Sequence, residues 1–302
     1  MALDKHAVAE AYKSLQDYIC SGLEQMDGKA IFQKDEWNRE QGGGGRTNTT
    51  GDGNVIEKGG VAFSAVHGPV SEQMKKSLLV NGEEFFATGV SIVLHPYSPH
   101  VPIIHMNVRY FEYDNGVKFW FGGGIDLTPH YVVLENAQLF HQGLKDLCDK
   151  YNPAFYPKFK ETADHYFYQP HRDETRGVGG IFYDHLDESC GLTKEEILAF
   201  SIELGQLFVT LYTQQVELGK DLPYTDQELD WRNTRRGRYV EFNLLHDRGT
   251  KFGLVSNGRT ESILLSMPPH AQWEYMKKIE DGSPEDFTIK HLRKGINWVE
   301  IV

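Results

Sequence analysis

The chain predicts an α+β fold built on an antiparallel sheet. Strand candidates arrive side by side as hairpins. Long amphipathic helices come between and after them instead of alternating strand by strand, and no linker divides the 302 residues. The hairpins fall in Gly89–Tyr131, GVSIVLHPYSPHVPIIHMNVRYFEYDNGVKFWFGGGIDLTPHY, with strand-like runs at Val90–Leu94, Ile103–Glu112 and Val117–Phe121.

From the N-terminus, Ala7–Met26 carries Val8, Ala11, Leu15, Tyr18, Ile19 and Leu23 at helical spacing, and Asp27-Gly28 stops it. Ala30–Trp37 reads as a strand. Gly42–Gly60, GGGGRTNTTGDGNVIEKGG, reads as a loop too glycine-rich for regular structure, a mobile flap with Arg46 as a ligand contact. Neither GxxxxGK[ST] nor a strand-GxGxxG-helix is present there, so a phosphate cradle is not indicated. Val61–Val66 is a strand and Val70–Leu79 a short helix.

Within the hairpins, alternation puts Ile103, His105, Asn107, Arg109 and Phe111 on one face, and Ile104, Met106, Val108 and Tyr110 on the other. An apolar face turned to a core leaves His105, Asn107 and Arg109 together on rigid backbone. Asp114–Gly116 is the hairpin tip, because Asn-Gly tolerates positive φ. The partner strand ends at Gly122–Gly124, where glycine permits close approach of a ligand. Asp126 then either lies near the end of the sheet or caps a helix at Thr128.

Leu134–Tyr151 is a helix with His141 beside its apolar stripe, as a boundary histidine or a ligand. Tyr156–Tyr168 is a helix ended by Pro170, and Val178–Phe182 a short strand within His171–Glu188. Thr193–Lys220 is a long helix opened by a Thr193/Glu196 capping box. Ser262–Met267 reads as a strand before Pro268-Pro269.

The net charge of −12 argues against nucleic acid as a partner. Arg232, Arg235, Arg236, Arg238, Arg248 and Arg259 nevertheless crowd one segment with Lys251. Arginine matches carboxylates bidentately, so the cluster suggests either a small polyanion or an ion-pair network. No apolar run is long enough to span a bilayer, and the first residues lack a signal-peptide or transit pattern. Cys20, Cys148 and Cys190 are far apart and odd in number, so a reduced, cytoplasmic location is expected.

His95, His105, His141 and His171 offer imidazoles, but at none of the spacings that make a local metal site. No GxSxG elbow and no nicotinamide or flavin fingerprint is present. What remains is arginine for carboxylates, Asp126 and Asp247 for N–H groups or positive charge, and His105 for proton movement. The residues alone indicate an enzyme or binding protein for a small multi-carboxylate compound.

Four blocks add to this: GGGGRTNTTGDGNVIEKGGVAFSAVHG, HMNVRYFEYDNGVKFWFGGGIDLTPHY, HRDETRGVGGIFYDHLDE, and RRGRYVEFNLLHDRGTKFGL continuing through GRTESILLSMPP. In this order, from about Gly42 to Pro269, they resemble the oxygen-dependent coproporphyrinogen-III oxidases. The resemblance implies a single domain over residues 1–302, with a large flat antiparallel sheet flanked by helices on both faces, and a homodimer using Tyr239–Glu274. It implies oxidative decarboxylation of the ring A and ring B propionates of coproporphyrinogen III to vinyl groups. Dioxygen is the oxidant, protoporphyrinogen IX the product, and carbon dioxide and hydrogen peroxide leave. No organic cofactor or metal is required; the alternative is a divalent metal at His95, His105, His141 and His171.

By position, Ser91, Asn107, Val108, Arg109, Asn257, Gly258 and Arg259 match the family's substrate contacts, and His105 its proton donor. Asp126 matches the aspartate that holds pyrrole N–H groups, and Asp247-Arg248 a further catalytic pair. Arg109, Arg176 and Arg259 are expected to grip propionates. Two readings compete with an oxidase: a porphyrinogen carrier and a metal oxygenase.

Overall fold

The computed structural model describes residues 3–72, 74–75, 82–255 and 258–301. Its centre is a seven-stranded sheet in which every neighbouring pair is antiparallel. The strands are β1 (Gln33–Asn38), β2 (Gly43–Gly51), β3 (Ile56–Pro69), β4 (Glu84–Pro96), β5 (Ile103–Tyr113), β6 (Lys118–Thr128) and β9 (Gly179–Leu186). They pair in that order, and two-residue strands β7 (Tyr168–Gln169) and β8 (Glu174–Thr175) form a separate ribbon. The expected α+β architecture is met.

One face of the sheet is apolar because alternate residues of each strand are. Ile104, Met106, Val108 and Tyr110 of β5 join Val61, Phe63, Val90, Ile92, Phe121, Ile125 and Ile181 in the main core. Three helices close that core: α1 (Lys5–Asp27), α2 (Leu134–Tyr151) and α4 (Lys194–Gly219); α3 (Phe155–Tyr166) covers it at β9. On the opposite face lies α5 (Asp226–Leu245), whose Tyr239 clusters with Val93 and Ile103. Next come α6 (Arg248–Val255) and α7 (Thr260–Leu264), and α8 (Pro284–His291) follows near the C-terminus. Helices therefore flank both faces.

The helix ends follow local chemistry. Asp4 caps α1, and Gly28 ends it in the left-handed region at φ 76°. Capping boxes open α4 (Thr193/Glu196) and α5 (Thr225/Glu228). Asp27, the last residue of α1, accepts backbone N–H bonds from Lys29, Ala30, Asn54, Val55 and Ile56 at 2.8–3.2 Å, tying the β2–β3 turn to the helix.

Three expectations need correction. Residues 42–60 are not a loop: β2, a turn and the first third of β3 occupy them, paired on both sides. Glycine is a poor strand former through lack of side-chain packing, and two-sided pairing overrides that here. The partner strand does not end at the glycines, since β6 runs through Gly122–Gly124 to Thr128 and places Asp126 on the strand, not at a helix cap. Ser262–Met267 is no strand; α7 and a turn occupy it and rest on the sheet at Thr47, Gly60 and His95. Only part of Val70–Leu79 falls among the described residues. The hairpin tip at Asp114–Gly116 is a single 3-10 turn with Asp114 at φ 53° and Gly116 at φ 83°.

Candidate active site

Cross-strand partners point the same way, so the register lays out the second face in rows. One row reads Asp35, Thr47, Ala62, Ser91, Asn107, Gly124 and Phe182 from β1 to β9. The next reads Gly60, Val93, His105, Asp126 and Gly180, and the one beyond Asn107 reads Ser64, Gly89, Arg109 and Gly122. The middle of this face is mostly glycine, alanine and serine; His105, Asn107 and Arg109 stand up from β5, while Leu265 packs on Gly60 and Tyr239 on Val93.

His105 is opposite Asp126 in the register, and its Nδ1 lies 2.8 Å from Asp126 Oδ1. The same carboxylate takes Arg176 Nη2 at 2.6 and 2.7 Å and Nε at 3.1 Å. Both side chains of this ion pair are only 2% exposed. Arg176 Nη1 donates to Asn243 at 3.1 Å, and the guanidinium sits 4.5–4.7 Å from the rings of Phe167, Tyr239 and Phe242. Burial alone would raise the Asp126 carboxyl; the Arg176 charge and the His105 hydrogen bond outweigh it and hold the group below the usual carboxylate range. His105 is thereby held in one orientation. Its ring is partly exposed, and Nε2 has no protein partner among the described residues.

Arg109 Nη1 donates to Asn107 at 2.8 Å, and Nη2 pairs with Asp184 of β9 at 3.1 Å. Ser91 lies across from Asn107. At the β9 side, Tyr166 stacks on Phe182 with centroids 4.2 Å apart, and the Arg248 guanidinium lies 4.9 Å over Tyr166. Among the described residues Arg248 makes no ion pair.

Several expected site residues stand elsewhere. Val108 is fully buried in the main core, because it alternates away from Asn107 and Arg109. Arg176 does not reach outward to a ligand; its charge is spent on Asp126. Asp126 in turn offers no open oxygen to pyrrole N–H groups. Asp247 accepts Tyr166 Oη at 2.7 Å and the Thr250 N–H at 2.6 Å, the bonding of a residue capping α6, and these bonds outweigh the effect of burial to lower its pKa. Gly258 donates to the Gly253 carbonyl, Arg259 pairs with Asp35 on β1, and Asn257 lies outside the described residues. Most of the arginine cluster is internal: Arg236 pairs with Glu57 at 2.6 Å, Arg235 with Glu174 at 3.0 Å and Arg238 with Glu241 at 3.0 Å.

The four histidines do not converge. Both nitrogens of buried His141 are bonded, to Tyr156 Oη and to the Val178 carbonyl, each at 3.0 Å. His95 Nε2 meets the Ser266 carbonyl at 2.8 Å, while His171 lies between Glu241 and His246. Among the described residues no group of three or more His, Cys, Asp or Glu side chains could hold a metal ion. The residues present do not fit a four-histidine centre.

Sequence reasoning missed Asn243, the aromatic cage around Arg176, and Asp184. Alternation along Gly180, Phe182 and Asp184 was the available signal for the last, and the Tyr239–Asn243 helical spacing for the others.

Comparison with known proteins adds to this geometry. A sequence model of the family described as coproporphyrinogen III oxidase matches residues 7–298. The chain belongs to that family. It is also 46% identical over 297 residues to human "Oxygen-dependent coproporphyrinogen-III oxidase, mitochondrial". The aligned region covers 94% of this chain and 65% of the human protein, so the chain spans about two thirds of that relative's length. The family match includes every strand of the sheet, and with them the His105–Asp126–Arg176 relay. Among the described residues no helix is long and apolar enough to cross a membrane.

Proposed function

We propose that this chain converts the ring A and ring B propionates of coproporphyrinogen III to vinyl groups, giving protoporphyrinogen IX. For each arm, a propionate, dioxygen and one proton become a vinyl group, carbon dioxide and hydrogen peroxide. The observation that carries the reading is His105, fixed through Nδ1 by the buried Asp126–Arg176 pair, on a floor of small residues bordered by arginine. Family membership supports the same reaction.

With Nδ1–H given to a carboxylate, Nε2 carries the lone pair that can accept a pyrrole N–H, or take up and return a proton. Asp126 acts through His105 as a positioning residue, and Arg176 as the charge that keeps Asp126 ionised. Arg109 exchanges Asp184 for a ligand carboxylate; both partners are about one third exposed, so the pair being broken is worth at most about 1 kcal/mol. Arg248 and Arg259 serve other arms. An arginine at the reacting carboxylate must hold it only weakly, since tight ground-state binding would oppose loss of carbon dioxide. Orientation of an electron-rich substrate toward dioxygen is what the protein supplies, with no cofactor or metal required.

A homodimer and a cytoplasmic location complete the proposal. Exposed Leu244, Leu245, Leu254, Val255 and Trp273 in 239–274 supply the apolar surface a partner subunit would cover. Three free cysteines, two of them buried, suit a reducing compartment.

Oxygen uptake by metal-stripped protein given coproporphyrinogen III tests the reading, with product followed as porphyrin fluorescence after oxidation. Uptake with vinyl product is the expected result. Tight binding with no uptake under any condition would indicate a carrier, and activity restored by one added metal would indicate an oxygenase.

A further inference from the structure

We propose that Lys58 is an additional carboxylate-binding residue of this site, receiving the ligand arm farthest from Arg109. The inference rests on the proposed function. Lys58 lies on β3 opposite His95, and alternation with Gly60 and Ala62 puts its side chain on the same face as His105. Its Nζ donates to the Met267 carbonyl at 2.7 Å. Among the described residues it forms no ion pair, although Glu261 lies close enough to act on its charge.

That sets Lys58 apart from Arg109 and Arg259. Arg109 must give up Asp184 and Arg259 must give up Asp35 before either can take a ligand carboxylate. An ammonium has three N–H donors, and only one is engaged here, by an uncharged oxygen. The group is half-buried, and burial pushes its pKa down. A carboxylate brought to it makes the direct ion pair that Glu261, acting from farther off, does not.

Placement agrees with a large planar poly-acid. Lys58 stands two strands and six residues along the register from Arg109. With strands ~4.8 Å apart and ~3.4 Å per residue, the two Cα atoms are roughly 22 Å apart, with two long side chains reaching inward. His105 falls between them. A small diacid cannot bridge that distance, whereas one arm of a macrocycle near His105 can extend toward Lys58 past Leu265, which packs on Gly60.

The test is equilibrium binding of coproporphyrin III, the oxidised and unreactive tetracarboxylate, by fluorescence quenching. A tricarboxylate porphyrin with one propionate replaced by vinyl is measured alongside. Lys58→Met is expected to weaken tetracarboxylate binding about tenfold, the equivalent of 1.4 kcal/mol. Lys58→Gln keeps a donor for the Met267 carbonyl without the charge, so it should show the same loss; Lys58→Arg should retain wild-type affinity. In turnover the loss should appear in KM, with kcat little changed. A structural role at Met267 alone would spare Lys58→Gln, and that result overturns the inference. Equal affinities for wild type, Lys58→Met and Lys58→Gln also overturn it, leaving the oxidase reading in place. A wild-type protein that neither binds coproporphyrin III nor consumes oxygen with the porphyrinogen overturns the function itself.

Discussion

Replacing Arg176 by Met tests the buried ion pair behind His105. In the wild type, three hydrogen bonds of 2.6–3.1 Å hold the guanidinium to Asp126, with both side chains out of water. Arg176→Met leaves the carboxylate buried with His105 as its only side-chain partner, which should cost about 3–5 kcal/mol. Asp126→Asn leaves the guanidinium with Asn243 and three aromatic rings and should cost nearly as much. Removing both charges together avoids the stranded ion, so the double variant should lose less than the sum by at least about 2 kcal/mol. Urea unfolding followed by circular dichroism gives the four midpoints, read as stability where the slopes agree. Arg176→Lys keeps charge but loses the fork geometry, and should fall between wild type and Met. Strict additivity in the cycle, or an Arg176→Met cost below about 1 kcal/mol, would refute the buried pair as the support of His105.

Two further outcomes follow from the same structure. His141 has its pKa lowered by burial from 6.5 to about 3, so the unfolded chain binds the proton more readily and stability falls as pH drops below about 6.5. By pH 4.5 this amounts to about 3 kcal/mol, and because buried His95 and His130 are lowered as well, His141→Gln should reduce, not abolish, the slope of that stretch of the urea-midpoint profile while leaving kcat unchanged; a parallel profile would show that other groups are responsible. A Cβ at Gly180 would overlap the Ile125 carbonyl oxygen of the neighbouring strand, whereas at Gly122 it meets the far end of the Arg109 side chain at 2.8–2.9 Å. Gly180→Ala should therefore lower the melting temperature by several degrees, and Gly122→Ala should keep it while raising KM; the reverse ranking would place Arg109 outside the ligand's reach.

Legibility in the sequence depended on whether a signal was local. β5 could be read face by face because its alternation is complete, and α2 appeared with its bounds, Leu134–Tyr151, intact. The capping box of α4 is written in two residues three apart. Residues 42–60 misled because glycine's local preference says nothing of strands pairing on either side. Ser262–Met267 misled because a short apolar run is equally consistent with a helix lying on a sheet. One strand's periodicity puts His105, Asn107 and Arg109 on one face, and the register of β5 has them there. Arg176 was assigned to the ligand because nothing in its own segment reveals a carboxylate fifty positions earlier in the chain. Val108 was carried along by its neighbours, although the alternation that exposes them buries it.

The row of small residues under the site has an electrical side as well. Where side chains are nearly absent, a bound molecule lies against peptide groups, and in antiparallel strands successive peptide dipoles largely cancel. The surface therefore acts as a neutral plate, with little to pull a ligand toward one lateral position over another. A fourfold-similar macrocycle set on such a plate could rest in several rotations about its own axis. On the proposed function, choice among them would fall to the charges at the edge, so that the perimeter, and not the floor, would decide which arm reaches His105.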